Sequence, residues 1–354
     1  MKNKINSLET LRGAAALIVA FYHFPSTSYL FFNDGHLAVF FFFSLSGFVI
    51  ALNYFDKITS IKNVLNFQIK RFFRLYPIHI FVLFVVLGIQ VLKLLTLKFF
   101  NLSVDTEAFS PDYWYTLKDF ISHIFLLQAI INEGYSLSWN SAAWTISAEF
   151  YTYLVFGLIA LLSRNNRVIF LIISVLFLYF LVPITETLDP YFNILFILCL
   201  EFFFTGCIFF LIYEKIKFKI NDLTFIILLA LLLFAQIENS LGLNFLFCTI
   251  ILLVAILKEE SLINKLLNFA PLVYFGTISY SFYMIHQSVL YLYIQSLKFI
   301  FKVPFLYTDG TASNTGNPYY DSLITISYII IAGILASFMY KYIENRFRKT
   351  KFKE

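Results

Sequence analysis

Charge is scarce in this chain: Asp, Glu, Lys and Arg together make up 13% of its 354 residues. A water-soluble protein of that length needs far more charge on its surface, so a soluble enzyme or scaffold is excluded. Cysteine is scarce as well. Cys199, Cys207 and Cys248 all lie in apolar stretches without the paired spacing of a metal site or disulfide framework, so they read as buried packing residues and no metal is expected. Linkers and low-complexity tracts are missing, as is an internal repeat of the kind many transporters carry. The first apolar stretch has no small-residue cleavage site, so it reads as a retained span and not a leader. The net charge of +5 does not point to nucleic acid, because in such a chain basic residues record membrane topology.

What is abundant is hydrophobic and aromatic surface: 60% of the residues are hydrophobic, with 46 Phe and 23 Tyr. The expectation is a polytopic integral membrane bundle, all-α, in contact with the lipid bilayer. Apolar runs long enough to span cover 8–25, 36–55, 76–98, 141–163, 167–184, 191–213, 222–238, 242–257, 271–298 and 321–343. Residues 119–132 are apolar but short, and counting them as a span would invert everything downstream. The basic residues decide the matter. With ten spans and both termini in the cytoplasm, all of the 26 Lys and Arg except Lys93, Lys98, Lys118, Lys298 and Lys302 fall on the cytoplasmic side. Residues 119–132 therefore read as an interfacial or re-entrant helix. The cytoplasmic loops on this reading include Lys57, Lys62, Lys70, Arg71 and Arg74 in one and Lys215, Lys217 and Lys219 in another. The chain, 1–354, reads as one transmembrane domain with no soluble domain attached.

Ionisable groups inside spans are costly and mark function by default. Arg12 and His23 flank ten residues that are almost all apolar. Eleven helical positions turn about 1,100° and rise about 16 Å, so both side chains share a face, Arg12 near one membrane surface and His23 near the bilayer middle. Further along, Thr145, Glu149 and Tyr153 share a face at four-residue spacing, Ser279, Tyr283 and His286 fall on one stripe, and Ser44 and Ser46 lie on the second span. Three such stripes can line a common polar cavity. His79 reads as interfacial, His36 and His123 as boundary residues, and Glu201 as either functional or the neutraliser of a buried cation. Arg71 and Arg74, three apart, are neighbours on a helix. Ordinary inner-surface anchoring explains them, and so does a clamp for a pyrophosphate group. On the expected outer side, Asp105, Glu107, Asp112, Tyr113, Trp114 and Tyr115 suit either sugar binding or an aromatic belt.

Five blocks in order resemble acyltransferase family 3, the membrane proteins that O-acylate bacterial surface glycans and other extracytoplasmic acceptors. They are Leu8 to Gly13 with the arginine, ten residues, histidine arrangement; Phe41 to Phe48; Arg71 to Pro77; Trp144 to Tyr151; and Gly276 to His286. The resemblance runs over nearly the whole length. It departs at the end, where the family's Glu-x-Pro element is replaced by Glu344-Asn345-Arg346.

The resemblance implies an acyl-coenzyme A dependent O-acyltransferase, acetyl being the expected group, in the bacterial cytoplasmic (inner) membrane. The acceptor would be a hydroxyl of an extracytoplasmic carbohydrate such as O-antigen, capsule or exopolysaccharide. It also implies essential roles for Arg12 and His23 and places the acyl-coenzyme A donor at Arg71 and Arg74. In this reading His23 is a general base, with an acyl-histidine route as the competing scheme. Glu149 would orient the imidazole if the two touch. The rival from another class is a proton-coupled transporter or flippase of a glycan or small solute, with Arg12, His23 and Glu149 as its relay.

Overall fold

A computed structural model describes residues 5–24, 35–100, 115–130, 138–164, 166–187, 194–234, 240–305, 307–308, 311–312 and 315–348. The described residues are mostly helical, with a two-residue antiparallel pairing of Tyr307–Thr308 with Thr311–Ala312 and an isolated parallel bridge between Ile220 and Leu257. The helices are α1 (Asn6–His23), α2 (Gly35–Tyr54), α3 (Ile61–Phe100), α4 (Leu117–Ile124), α5 (Trp144–Ser163), α6 (Arg167–Thr187), α7 (Ile194–Lys215), α8 (Asp222–Phe234), α9 (Ser240–Ala255), α10 (Leu262–Leu267), α11 (Ala270–Phe299), α12 (Pro318–Met339) and α13 (Asn345–Arg348). A π turn, Tyr340–Glu344, joins the last two. Each apolar run read from the sequence holds a helix, as it must where lipid offers the backbone no partner. Among the described residues, five helical stretches are long and apolar enough to cross a membrane: Gly35–Lys57, Ile61–Thr96, Ser141–Ser163, Ile194–Lys215 and Pro318–Arg348.

Lipid supplies little hydrophobic drive between helices, so close backbone approach does the packing. Glycine permits it at two crossings. Where α2 meets α7, a Cβ on Gly47 would lie 1.9 Å from the Phe203 carbonyl oxygen, and one on Gly206 2.1 Å from that of Ser44. Where α1 meets α11, a Cβ on Gly276 would lie 1.9 Å from the Glu9 carbonyl oxygen.

Contacts fix the relative directions of the helices. Gly13 packs on Gly276 and His23 on His286, so α1 and α11 run parallel. Phe40 stacks on Phe202 and Phe48 meets Phe210 edge to face, so α2 and α7 do too. By contrast, Val64 approaches Gly157 while Gln68 Nε2 donates to the Phe150 carbonyl, so α3 and α5 are antiparallel. Tyr293 reaches Ile324 and Tyr328 reaches His286, which makes α11 and α12 antiparallel as well.

Two expectations need correction. The segment from Lys62 to Arg74, read as loop, lies inside α3, whose 40 residues extend about 60 Å, roughly twice the hydrocarbon thickness. Its polar first turns are helical because they continue an apolar helix, with Pro77 inside it. His123, read as a boundary residue, is fully buried, and so is His79: His79 Nε2 donates to the His123 carbonyl at 2.8 Å.

That contact places α4. Phe120 meets Phe84, His123 meets His79, and Tyr76 donates to the Ile124 carbonyl, so α4 descends alongside α3 in the opposite direction. The chain then turns. Ser147 Oγ donates to the Leu126 carbonyl and accepts from Ala129 N, bringing the segment back to the start of α5. With eight residues α4 is too short to span.

Candidate active site

One cavity lies among α1, α2, α3, α5 and α11, and Arg12, Arg71, Arg74, Glu149, Tyr153 and Tyr283 line it together with Ser46, Thr145 and Ser279. Ser46, the Thr145–Glu149–Tyr153 stripe and Ser279 with Tyr283 thus meet at one cavity, whereas Ser44, His23 and His286 do not line it. Two of the three arginines come from successive turns of α3, and the third from the second turn of α1.

The arginines differ in how they are held. Arg12 Nη1 pairs with Glu9 Oε2 at 2.7 Å, within one turn of α1. Arg71 is buried, with its guanidinium 4.8 Å from the Tyr54 ring centroid and its Nη2 donating to the Tyr54 hydroxyl at 2.6 Å. Its Nε is buried without a hydrogen-bond partner among the described residues. Arg74 makes no hydrogen bond or ion pair among the described residues, although Glu344, Glu9 and Glu149 lie near enough to act on its charge. A desolvated guanidinium with unused N–H groups is a ready receptor for an anion.

Glu149 is held from within. Ser46 Oγ donates to its Oε1 at 2.5 Å and the Tyr153 hydroxyl donates to the same oxygen. Its Oε2 has no hydrogen-bond partner among the described residues. Glu149 therefore does not orient His23, as a direct contact between them would have required.

His23 ends α1, on the helix edge that carries Arg12 but outside the arginine cavity. Its Nδ1 lies 2.8 Å from the Val19 carbonyl, an acceptor only, so Nδ1 carries the proton and Nε2 is the free base. The ring beside it belongs to His286 of α11, 5.1 Å between centroids. His286 Nδ1 donates to the Tyr283 carbonyl, which leaves its Nε2 lone pair facing His23 Nδ1 at 3.4 Å. His286 is itself buried, and its carbonyl accepts from the Tyr328 hydroxyl at 3.1 Å.

Two residues take a place here that their sequence context did not disclose. His286 was marked only as part of a stripe. Glu344, part of the departure from the family's terminal element, is turned inward by the π turn and accepts from Ser281 Oγ at 2.7 Å. The remaining candidates lie elsewhere. Glu201 Oε1 accepts from Asn244 Nδ2 on α9 at 2.7 Å, and Asp105, Glu107, Asp112, Tyr113 and Trp114 fall outside the described residues. Among the described residues no group of His, Cys, Asp and Glu could hold a metal ion.

A family profile described as an acyltransferase domain matches residues 5–337. No curated protein and no solved structure matches the chain significantly.

Proposed function

Because the chain belongs to acyltransferase family 3, whose members are membrane acyltransferases, we propose that it moves an acyl group, acetyl in the first instance, from cytoplasmic acyl-coenzyme A to a carbohydrate hydroxyl outside the cytoplasmic membrane. The observation that carries this reading is the joining of two unlike sites by one helix. α1 bears Arg12 in a three-arginine cavity and, about 16 Å further along, an imidazole base.

The donor fits the first site on chemical grounds: the unused N–H groups of Arg71 and Arg74 match phosphate oxygens, and Glu344 and Glu149 keep that pair of cations from being isolated. The thioester supplies an activated acyl carbon. His23 Nε2 takes the proton of the acceptor hydroxyl as that oxygen bonds the acyl carbon and the carbon–sulfur bond breaks. The same proton then goes to the departing thiolate. Such general-base catalysis contributes roughly 10² to 10⁴ in rate. His286 is a positioning residue: its Nε2 and the Val19 carbonyl both accept from His23 Nδ1–H, so the imidazolium that forms keeps its charge solvated by fixed acceptors.

Ten spans with both termini in the cytoplasm agree with the helix directions. Odd-numbered spans α1 and α11 run parallel, even-numbered α2 and α7 run parallel, and the neighbours α3 and α5 are antiparallel because α4 turns back. The chain would then be one multi-pass domain of the bacterial inner membrane.

The test is acyl transfer by membranes containing wild type, His23→Ala or Arg12→Ala, supplied with labelled acetyl-coenzyme A and acceptor glycan. Both variants should lose transfer at normal expression. Full activity of the His23→Ala protein would remove the chemical role assigned to it.

A further inference from the structure

A second cavity, of about 250 Å³, lies between α3, the segment before α5, and α11. Gln90, Lys93, Trp139, Asn140, Gln287 and Tyr291 line it. On the reading that the chain acylates a carbohydrate, we propose that this cavity is the acceptor subsite, binding a hydroxyl-rich sugar through neutral amide oxygens.

Three observations carry it. First, its unsatisfied groups are acceptors. Gln90 and Asn140 are 3% and 2% exposed, yet Gln90 Oε1 and Asn140 Oδ1 have no hydrogen-bond partner among the described residues. A buried carbonyl oxygen left unpaired is destabilising, so both call for a donor. The arginine cavity is lined by cations and suits an anion; this one is lined by two residues that each carry an unpartnered amide oxygen, and suits hydroxyl groups. Lys93 adds donors, its Nζ resting 4.5 Å over the Tyr291 ring, and it is one of the few basic residues that the inside-positive pattern leaves on the outer side.

Second, the wall is strained. Trp139 has a φ of 52°, a left-handed conformation unusual for so bulky a residue. Its Nε1 donates to the Thr116 carbonyl at 3.0 Å, and its ring meets Tyr115 and Phe120 edge to face. Backbone strain of this kind persists where surrounding contacts over-determine it, and such residues cluster at ligand clamps.

Third, the cavity lies further along α11 than the level of His286, on the side away from the arginine cavity. Gln287, which accepts from Ser141 Oγ, follows His286 in sequence, and Asn140 Nδ2 donates to the Met284 carbonyl at 3.3 Å. Along α3, Gln90 lies 16 residues beyond Arg74, about 24 Å. Along α11 the order is Tyr283 in the first cavity, His286, then Gln287 and Tyr291 in the second. Donor and acceptor would approach from opposite ends of α3 and α11, the two helices that line both cavities.

The experiment measures binding without donor, so it stands apart from whether acyl transfer occurs. Purified protein in detergent is titrated with N-acetylglucosamine and with methyl hexopyranosides while tryptophan fluorescence is followed. A saturable change is expected with at least one sugar. It should be absent from Trp139→Phe, weakened tenfold or more in Gln90→Leu and in Lys93→Met, and unaltered in the Arg71→Ala, Arg74→Ala double variant. Thermal melting of each variant reports on folding, and the half-buried Lys93 position keeps the test decisive if Gln90→Leu misfolds. No saturable response to any sugar, as expected of a cavity holding only water, overturns the proposal. So does equal binding by folded Gln90→Leu and Lys93→Met proteins. Sugar binding here together with no acyl transfer by wild type would instead overturn the enzymatic reading and leave the subsite standing.

Discussion

His286 Nε2 points at His23 Nδ1 across 3.4 Å, so the ring proposed to act as base is backed by a second imidazole whose own proton is committed to the Tyr283 carbonyl. The two residues are 263 positions apart, and Gly13 and Gly276, which touch one helical stretch earlier, share that offset. One parallel seam between α1 and α11 therefore sets the imidazole pair.

If His286 solvates the imidazolium form of His23, its loss slows proton transfer without disturbing donor binding. A hydrogen bond to a charged group is worth about 1.5–3 kcal/mol, so His286→Ala should lower kcat roughly 10- to 100-fold. The Michaelis constant for acyl-coenzyme A should not move, and His286→Gln, which keeps an acceptor, should recover part of the rate. Steady-state kinetics on membranes, with expression matched, gives all three numbers. A rise in the donor constant with unchanged kcat would assign His286 to binding.

The seam itself can be opened. A Cβ on Gly276 would sit 1.9 Å from a backbone oxygen of α1, which no side-chain adjustment relieves. Gly276→Ala should therefore force the helices apart, with a cost of about 1–3 kcal/mol typical of overpacking, and should reduce transfer as well as the apparent Tm in detergent. Gly333 on α12 is the control, since nothing lies within 4 Å of its hypothetical Cβ. Gly333→Ala should leave activity and melting unchanged or raise the latter slightly, because alanine favours a helix more than glycine.

The apolar runs disclosed where the helices lie, since hydrophobic length and helix coincide in lipid. The start of α3 was hidden because charged and apolar residues mix through Lys62 to Arg74, and the charges there report exit from the membrane without ending the helix. Within the site, residues sharing one helix face were legible from spacing alone: Arg12 with His23, and Thr145 with Glu149 and Tyr153. Pairings between helices were not, because no local rule selects His286 over Glu149 as the neighbour of His23. A signal did exist in the repeated Gly, nine residues, His spacing at Gly13 to His23 and Gly276 to His286. Glu344 was obscured differently: the π turn rotates it inward by an amount that a regular helix would not.

For the arginine cavity, Arg71→Ala with Arg74→Ala should raise the Michaelis constant for acyl-coenzyme A by roughly 10- to 100-fold per lost charge-assisted bond. Arg71→Lys should not restore it, since an ammonium cannot both bond the Tyr54 hydroxyl from over its ring and offer a planar fork to phosphate. Glu344→Gln removes a carboxylate that acts on Arg74 while keeping an acceptor for Ser281, so its effect should fall on the same constant and be smaller. Titration of donor at saturating acceptor separates these. An unchanged constant in the double variant would reduce both arginines to membrane anchors.

The turn-back of α4 makes topology testable with single cysteines. Cys199, Cys207 and Cys248 are each fully buried, so the native thiols should give little background with a membrane-impermeant maleimide. Lys217 and Lys118 are exposed and lie on opposite faces in the ten-span arrangement. Lys118→Cys should label from outside intact cells, and Lys217→Cys only after the membrane is opened. Were α4 a span, every later loop would change sides, and Lys217→Cys would label from outside. It would also require α3 and α5 to run parallel, whereas Val64 with Gly157 and Gln68 with Phe150 hold them antiparallel. The labelling pattern therefore checks the helix directions as well as the distribution of basic residues. Lys118→Cys and Lys217→Cys reacting from the same side would show that one of the spans between them has been miscounted.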